Sequence, residues 1–365
     1  MTLSRLSVRQ LRNIQHLEIE LGTGVNLITG ANGSGKTSLL EAVYFLGSGR
    51  SFRSHRLDPV INRESDGCTV FGVVAHGDRV QRVGVHRGRD GSRDIKVNSE
   101  VVKRASDLAR ALPVLVLGPE TVDVLLGPPS LRRRFLNWGL FHVEPQFLVD
   151  WEVATRCLRQ RNTLLRQRNA GTKEISAWTD QLCEVSIRLD RYRQDYFDAF
   201  AIQFAALSKV ISGLENVTCH YRRGWAVGRE LSDIYASQFE ADSKRGFTQT
   251  GVHKAEIELL VEGVPAVSVC SRGELKVLAW SLYLTQGKIS SGIGGASDLL
   301  YLVDDMAAEL DLVHRQKVCG ALVESGCQVI ATGIERDQLL NCWGGFPTKL
   351  FHVEHGNISV MENQV

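Results

Sequence analysis

Eight consecutive residues constrain this chain more than any others. Gly30-Ala31-Asn32-Gly33-Ser34-Gly35-Lys36-Thr37 fits the pattern G-x-x-x-x-G-K-[ST] at every position. Ahead of it, Val25-Asn26-Leu27-Ile28-Thr29 is a short β-prone run, and behind it Leu39, Leu40, Val43, Tyr44 and Leu46 fall at helical spacing. The segment therefore reads as strand, glycine loop, helix. The glycines let successive backbone N–H groups point inward at phosphate oxygens. Lys36 would set a cation between the β- and γ-phosphates, the Thr37 hydroxyl would ligate Mg²⁺, and the helix N-terminus beneath favours an anion. A chance glycine turn has no reason to carry both flanks, so a nucleotide site is expected at Gly30 to Thr37.

Such a loop needs an acidic partner at the end of another buried strand. Leu299 to Val303 is an apolar run suited to a parallel strand covered on both faces, and it ends in Asp304-Asp305. The expected roles are Mg²⁺ binding through water for Asp304, and orientation or deprotonation of the attacking water for Asp305. Cys327 to Thr332 reads as a further short strand, with Thr332 where a γ-phosphate sensor can sit. The stretch before the loop also reads as strands: Leu3, Leu6, Val8 and Leu11 recur roughly every second residue, and Leu17 to Leu21 alternates cleanly.

The 268 positions between Lys36 and Asp304 far exceed one strand–helix–strand crossover. Much of this gap has helical spacing. Leu148, Trp151, Thr155, Leu158, Asn162 and Leu165 step by three and four, as do Leu182, Val185, Leu189, Tyr192 and Tyr196, continued by Phe200 and Phe204. With Asn169-Ala170-Gly171-Thr172 as the turn, the pattern predicts an antiparallel helical hairpin whose arms of ~25–35 residues would each be about 40–50 Å long. The aromatic stripe is read as core. Arg156, Arg159, Arg161, Arg166 and Arg168 lie off or beside the seam, where they can be solvated helix residues or, taken together, a phosphate-lining row.

Composition narrows the class. With 43% hydrophobic and 23% charged residues the chain can bury a sizeable core. It contains nothing near ~18 consecutive apolar residues, and Met1 to Arg5 lacks a signal-peptide layout. The eight cysteines form no Cys-x-x-Cys pair, so reduced thiols of a cytoplasmic protein are expected rather than disulfides or a zinc ribbon. The net charge of +2 hides an uneven distribution. Lys+Arg outnumber Asp+Glu by 13 to 8 over Arg50–Arg110 and by 9 to 3 over Leu131–Lys173, and the balance reverses to 4 against 10 from Ser297 onward. Ordinary solvated faces and a polarised binding surface both accommodate these counts.

Several further segments carry a family resemblance. Ser271-Arg272-Gly273-Glu274-Leu275-Lys276 resembles the signature motif of ABC-type ATPases, departing from the transporter form Leu-Ser-Gly-Gly-Gln. Leu11-Arg12-Asn13-Ile14, Gly49 to Ser54, Pro119 to Gly127 with Pro129 and Arg132 to Asn137, Gly246-Phe247-Thr248, and Gly251 to Lys254 resemble motifs of the RecF family, over nearly the whole chain. Asp304-Asp305 with Glu309-Leu310-Asp311 is similar to that family's acidic strand end and following turn. Pro128, Val252 and Lys254 depart from the usual residues, and Thr332 stands in place of a switch histidine.

The resemblance implies an α/β, ABC-type P-loop ATPase head, residues 1–118 and 251–365, with a helical lobe inserted at 119–250. It implies ATP and Mg²⁺ as cofactors, Arg12 and Asn13 as nucleotide-facing residues, and Ser271 and Gly273 as readers of the γ-phosphate from an opposing subunit. It implies a weak ATPase that dimerises around ATP on single- and double-stranded DNA at gaps, works with RecR and RecO in replication and recombinational repair, and has no membrane partner. An ABC transporter ATPase is the alternative, but its signature follows the loop at roughly half the 235 positions separating Ser271 from Lys36. A chromosome-structuring SMC protein would need hundreds of heptad residues, and a GTPase would need an [NT]-K-x-D motif that does not occur.

Overall fold

The computed structural model describes residues 1–54, 56–167, 172–292, 299–344, 346 and 348–361. The first segment of the chain forms β1 (Thr2–Leu11), β2 (Ile14–Glu20), β3 (Val25–Thr29), α1 (Lys36–Ser48), β4 (Gly67–His76), β5 (Arg79–Gly88), β6 (Arg93–Val97), β7 (Glu100–Val101), α2 (Ala105–Ala111) and β8 (Val114–Leu117). The middle forms α3 (Asp123–Leu126), α4 (Pro129–Val143), α5 (Phe147–Arg166), α6 (Thr172–Ser212), β9 (Val217–Arg222), α7 (Leu231–Arg245), β10 (Glu256–Val261), β11 (Val264–Pro265) and α8 (Ala266–Val269). The last segment forms α9 (Arg272–Gly292), β12 (Leu300–Val303), α10 (Met306–Glu309), α11 (Leu312–Glu324), β13 (Gln328–Gly333), α12 (Arg336–Leu340), β14 (Thr348–Glu354) and β15 (Asn357–Met361).

Two compact units result: Met1–Val122 with Arg272–Val365, and Asp123–Ser271. The division differs from the expected boundaries, because residues 251–271 belong with the middle of the chain. The reason is strand pairing: β10 runs antiparallel to β9, with Leu259 opposite Cys219, and β11 closes the same small sheet. This sheet was not anticipated in the helical reading of the gap.

In the first unit two sheets face one helix. Sheet order β2-β1-β4-β5-β6-β7 is antiparallel throughout. The second sheet, β15-β14-β3-β13-β12-β8, is parallel except for the edge strand β15. Every residue of β3, β12 and β13 is buried, as expected for parallel strands covered on both faces. Helix α1 buries Leu39, Leu40, Ala42, Val43, Phe45 and Leu46, which surround it with apolar surface, so it must be covered on all sides. Its cluster joins Leu6, Val8, Val70 and Val85 of the antiparallel sheet to Leu300, Leu302, Ile330 and Phe351 of the parallel one. Close approach requires small residues: a Cβ at Gly72 of β4 would lie 2.5 Å from Leu46 Cδ2, and one at Gly47 of α1 would lie 2.5 Å from the Leu112 carbonyl.

The second unit is built on α5 and α6. Asp150 meets Arg188, Cys157 meets Gln181 and Arg161 meets Thr179, so one number rises as the other falls and the helices are antiparallel. Their lengths are unequal, 20 and 41 residues, in place of two matched arms. Tertiary support explains the excess, since α6 continues along β9, where Tyr221 donates to Asp190 (2.8 Å) and lies 6.0 Å from Phe197. The turn expected at Asn169 to Gly171, and Arg168, lie outside the described residues. The aromatic stripe is core: Phe200 stacks on Phe204 at 5.9 Å and packs edge-on against Phe135.

Several arginines proposed for phosphates are occupied internally. Arg161 is 1% exposed, donates to Asp242 (2.9 Å) and Thr248, and lies 4.8 Å from the Tyr235 ring. Arg166 donates to the Gly246 carbonyl, and Arg132 makes a paired interaction with Glu256 at 2.7 and 3.0 Å. Only Arg156 and Arg159, among the described arginines of that helical row, are exposed and without such ties to the rest of the unit. Removing Arg161 strands a carboxylate, since the Asp242 side chain is wholly buried. Arg161→Ala should therefore cost about 3–5 kcal/mol, whereas Arg159→Ala should stay within about 0.5 kcal/mol. Urea unfolding followed by circular dichroism distinguishes the two; equal midpoints would show that the buried pair is dispensable.

Candidate nucleotide-binding site

The loop between β3 and α1 takes backbone conformations that only glycine enters freely. Gly33 and Gly35 have φ of 78° and 119°. Gly30 leaves no room for a side chain, because a Cβ there would lie 2.3 Å from the Val353 carbonyl and 2.7 Å from Ser34 Oγ. Ala31, Asn32 and Gly33 are exposed at the rim, while Ser34, Gly35 and Lys36 are buried behind them. Ser34 Oγ has no hydrogen-bond partner among the described residues. An orphaned hydroxyl in a loop of inward-curving N–H groups, at the start of a 13-residue helix, fits a phosphate group.

Strand register brings the other functional side chains to this loop. Thr29 pairs with Gly333 and Ala331 with Val303, so the carboxyl ends of β3, β13 and β12 share one edge of the parallel sheet. Ligands of parallel α/β sheets bind at that edge. Thr37 Oγ1 donates to Asp304 Oδ1 (3.0 Å), and Thr332 Oγ1 donates to the same oxygen (2.8 Å). Thr332 Oγ1 also accepts from the Asp305 N–H at 3.1 Å. The Asp304 carboxylate and the Thr37 hydroxyl are hard oxygen donors side by side, the donor set that suits Mg²⁺. Lys36 Nζ donates to the Gly30 and Ala31 carbonyls at 2.7 and 2.9 Å.

Electrostatics follow from this packing. Burial lowers the Lys36 pKa below the ordinary lysine value, opposed by the charges of Asp305 and Asp304. Burial raises the pKa of Asp305, reinforced by the neighbouring Asp304 carboxylate and opposed by Lys36. Asp305 also holds φ 45° and ψ 52°, a left-handed conformation that Asp and Asn tolerate better than other residues bearing a Cβ.

The remaining expected residues divide. Asn13 reaches the loop, donating to the Gly33 carbonyl at 3.4 Å. Arg12 instead turns onto Glu41, with both nitrogen–oxygen distances 2.7 Å, so the structure gives its guanidinium a carboxylate partner inside the fold. Ser51 donates to the same Glu41, and Arg53 lies 3.9 Å from it. Glu41 went unnoticed in the sequence, although an acid amid Leu39, Leu40, Ala42 and Val43 is a visible break in an apolar run. Ser271 and Gly273 are exposed at the start of α9. Lys276, one turn further along that helix, pairs with Glu309 at 2.8 Å, tying the helix to the segment following Asp305.

This sheet edge, its glycine loop and the strand-end carboxylates define an ABC-type ATPase fold in the first unit. The profile described as "RecF/RecN/SMC N terminal domain" matches residues 2–359. The DNA replication and repair protein RecF of Stutzerimonas stutzeri (strain A1501) is 41% identical over 361 residues, 98% of this chain and 97% of that one. Its counterpart from Cellvibrio japonicus (strain Ueda107) is 40% identical over 363 residues, with 98% and 99% covered. A solved structure of the recombination mediator protein RecF with ATP superposes with a TM-score of 0.86 at 23% identity, covering 99% of this chain and 97% of that one. An SMC head bound to the winged-helix domain of ScpA gives 0.59 at 15% identity, over 100% and 98%. The chain belongs to the RecF family.

The raised Asp305 pKa has a measurable consequence. An acid whose pKa is higher folded than unfolded binds more protons in the native state, so its ionisation costs stability as pH rises past both values. Asp305→Asn keeps the tolerated backbone conformation and removes the charge. The nucleotide-free variant should melt higher than wild type at pH 7, and the advantage should disappear as pH falls below the ordinary aspartate range. Thermal melts across pH 3.5–8 test this; a wild type more stable at neutral pH would refute the assignment of strain to that carboxylate.

Proposed function

We propose that this chain is an ATP-dependent DNA-binding protein of DNA replication and recombinational repair, acting in the cytoplasm as an ATP-gated homodimer with RecR and RecO to help load the recombinase at single-strand gaps. The observation that carries the nucleotide reading is the hydrogen bond from Thr37 to Asp304, which joins the glycine loop to the acidic strand end across 267 positions of sequence. The relatives' name supports the repair role, and the ATP-bound neighbour, a recombination mediator of the RecFOR pathway, supports the two mediators. A transporter ATPase is not favoured: the profile that matches residues 2–359 is the one described for RecF, RecN and SMC proteins.

In this reading Gly30, Ala31, Asn32, Gly33, Ser34 and Gly35 wrap the phosphates with backbone N–H groups, and Lys36 exchanges its carbonyl partners for phosphate oxygens. Thr37 and Asp304 would hold Mg²⁺, which when bound supplies charge neutralisation on the β- and γ-phosphates. Asp305 takes the proton of the attacking water on its carboxylate, a role helped by the raised pKa. Thr332 fixes Asp304 Oδ1 and the Asp305 backbone together, so the two carboxylates keep distinct positions. Arg12 acts through Glu41 to brace the loop, and Asn13 lines its rim. Ser271 and Gly273 offer their exposed donors to the γ-phosphate held by a second copy of the chain. Two-fold symmetry then gives two equivalent composite sites.

Lys36→Ala should abolish ATP-dependent dimerisation and leave the melting curve of the nucleotide-free protein essentially unchanged. Light scattering that still reports ATP-induced dimers would remove the loop from the mechanism. Mixing Lys36→Ala with Ser271→Arg tests the shared site directly. Half of the freely exchanging dimers should be heterodimers carrying one intact site, and ATPase should recover to at most about a quarter of wild type. Tight ATP binding per dimer is read in the same mixture; loss of both signals in confirmed heterodimers would refute site sharing.

DNA binding should be an electrostatic contact with phosphates. Affinity for gapped duplex in the presence of ATP should fall with salt at a log–log slope of about −0.9 per phosphate neutralised. Gel shifts on gapped and plain duplex, with ATP, ADP or no nucleotide, read this slope. Salt-independent binding would sink the clamp reading.

A further inference from the structure

The antiparallel sheet has a second face, turned away from α1. Alternation along its strands sends Leu6, Val8, Val70, Val83 and Val85 into the core and the residues between them outward. Register assembles these outward residues into rows across the strands. Ser7 lies opposite Phe71, Phe71 opposite Gly84, and Gly84 opposite Lys96. The row on one side runs Arg9, Thr69, His86, and the row on the other runs Arg5, Val73, Arg82. Arg5, Arg9, Arg82 and Lys96 are exposed, and Phe71 is half-buried in their midst.

Arg5, Ser7, Arg9, Glu18, Thr69 and Phe71 line an open depression of about 360 Å³ on this face. Cross-strand neighbours of an aromatic residue ordinarily pack on it. Those of Phe71 are small, Ser7 and Gly84, and a Cβ at Gly84 would meet only Phe71 Cδ2, at 3.9 Å. The ring is left open to a ligand. The charges around it favour an anion: over 5–9, 69–73 and 82–86 the strands β1, β4 and β5 carry three arginines and no acid. The acids of the face lie on the flanking strands, Glu18 and Glu20 on β2 and Asp94 on β6. Glu18 is held by Arg5 at 2.9 Å, whereas Arg9 and Lys96 make no ion pair among the described residues.

Cations for the backbone beside an aromatic ring for a base are the two elements of single-strand recognition. We propose that this face binds single-stranded DNA, with one unpaired base stacked on Phe71 and the adjoining phosphates held by Arg9 and Lys96. That role rests on the DNA binding proposed above and specifies which form of DNA is held. Lys96 stands two strands from Phe71, roughly 10 Å away by sheet spacing, and Arg9 stands one strand over on the other side. Their long side chains bracket the ring. Thr69 and His86, bonded to each other at 2.9 Å, form a fixed wall next to it. Bases of a duplex already stack on one another, so the ring is useful only to an unpaired strand. Every base has a π-face, so the surface takes any sequence. An acidic protein segment would satisfy the cations and leave the ring unused.

Fluorescence anisotropy of the full chain with ATP, on a short oligothymidylate and on a plain duplex of the same length, tests this. Ultraviolet irradiation of the wild-type oligothymidylate complex, then digestion, should yield a thymine adduct on the peptide containing Phe71, a readout that needs no variant. Phe71→Leu keeps an apolar side chain on the strand and removes the ring. It should weaken oligothymidylate binding roughly 5- to 100-fold and leave duplex affinity unchanged. Phe71→Trp should bind at least as tightly as wild type. Arg9→Ala and Lys96→Ala should each reduce the single-strand log–log salt slope by about 0.7, and Phe71→Leu should not change it. Wild-type affinity in Phe71→Leu, an adduct mapped away from β1, β4 and β5, or tighter binding of polyglutamate than of oligothymidylate would overturn the proposal. Duplex binding that persists in those cases leaves the proposed function standing, and binding to neither DNA would overturn both.

Discussion

Everything in the first unit depends on the complete burial of one helix. Helix α1 carries apolar side chains around its circumference, and no single sheet can cover such a surface. Two sheets are therefore required, and each comes from a different part of the sequence: the antiparallel one from residues 2–101, the parallel one partly from residues 300–361. Gly47 and Gly72 allow the contact distances, while Gln328 joins the sheets through hydrogen bonds to Leu3 and Gly22. Because the helix begins at Lys36, clamping its body also fixes its N-terminus, and the loop inherits the rigidity of the core. The site is stiff for the same reason that the unit is stable.

Buried carboxylates within this apolar surround are held in closed sets. Glu41 is fully buried and gathers Arg12 and Ser51. Asp304 gathers Thr37 and Thr332 on one oxygen. Asp305 is the exception: its backbone is left-handed, and its carboxylate sits beside the Asp304 charge with a backbone N–H, from Ala308, as its hydrogen-bond donor. Such local cost persists only where the surroundings impose it, and it gathers at reactive positions. Asp305 is one of eight described non-glycine residues with positive φ, and the one of them proposed to take a proton.

Legibility in the sequence followed the range of the interactions involved. The loop, its strand and its helix were readable because glycine conformation and helical spacing are local. The acidic strand end was readable because a run of apolar residues ending in two acids needs no distant partner. The β9–β10 sheet was missed because Val217–Arg222 and Glu256–Val261 are short and pair across an intervening helix, and this pairing also moved the boundary from 251 to 271. The roles of Arg12 and Arg161 were invisible for the same reason: Arg161 meets Asp242 and Thr248, more than eighty residues away. A family motif such as Gly246-Phe247-Thr248 reads as functional from sequence, yet here it ends α7 with φ 73° at Gly246 and places Thr248 on a buried guanidinium.

This internal use of arginine changes where a nucleic-acid surface can lie. The block from Leu131 to Lys173 looked strongly basic, but Arg132, Arg161 and Arg166 spend their donors on Glu256, Asp242 and backbone carbonyls of the same unit. A guanidinium neutralised inside the fold releases no counterions from DNA, so it adds nothing to a salt-dependent affinity. In the block from Arg50 to Arg110, by contrast, Arg50, Arg53, Arg56, Arg79, Arg82, Arg93 and Lys96 are exposed. Several of these lie on β5 and β6 of the antiparallel sheet, the sheet that also covers α1. On the proposed function, phosphate contacts made there would rest on the layer that holds the nucleotide loop in place, and DNA and ATP would share one mechanical support within the unit.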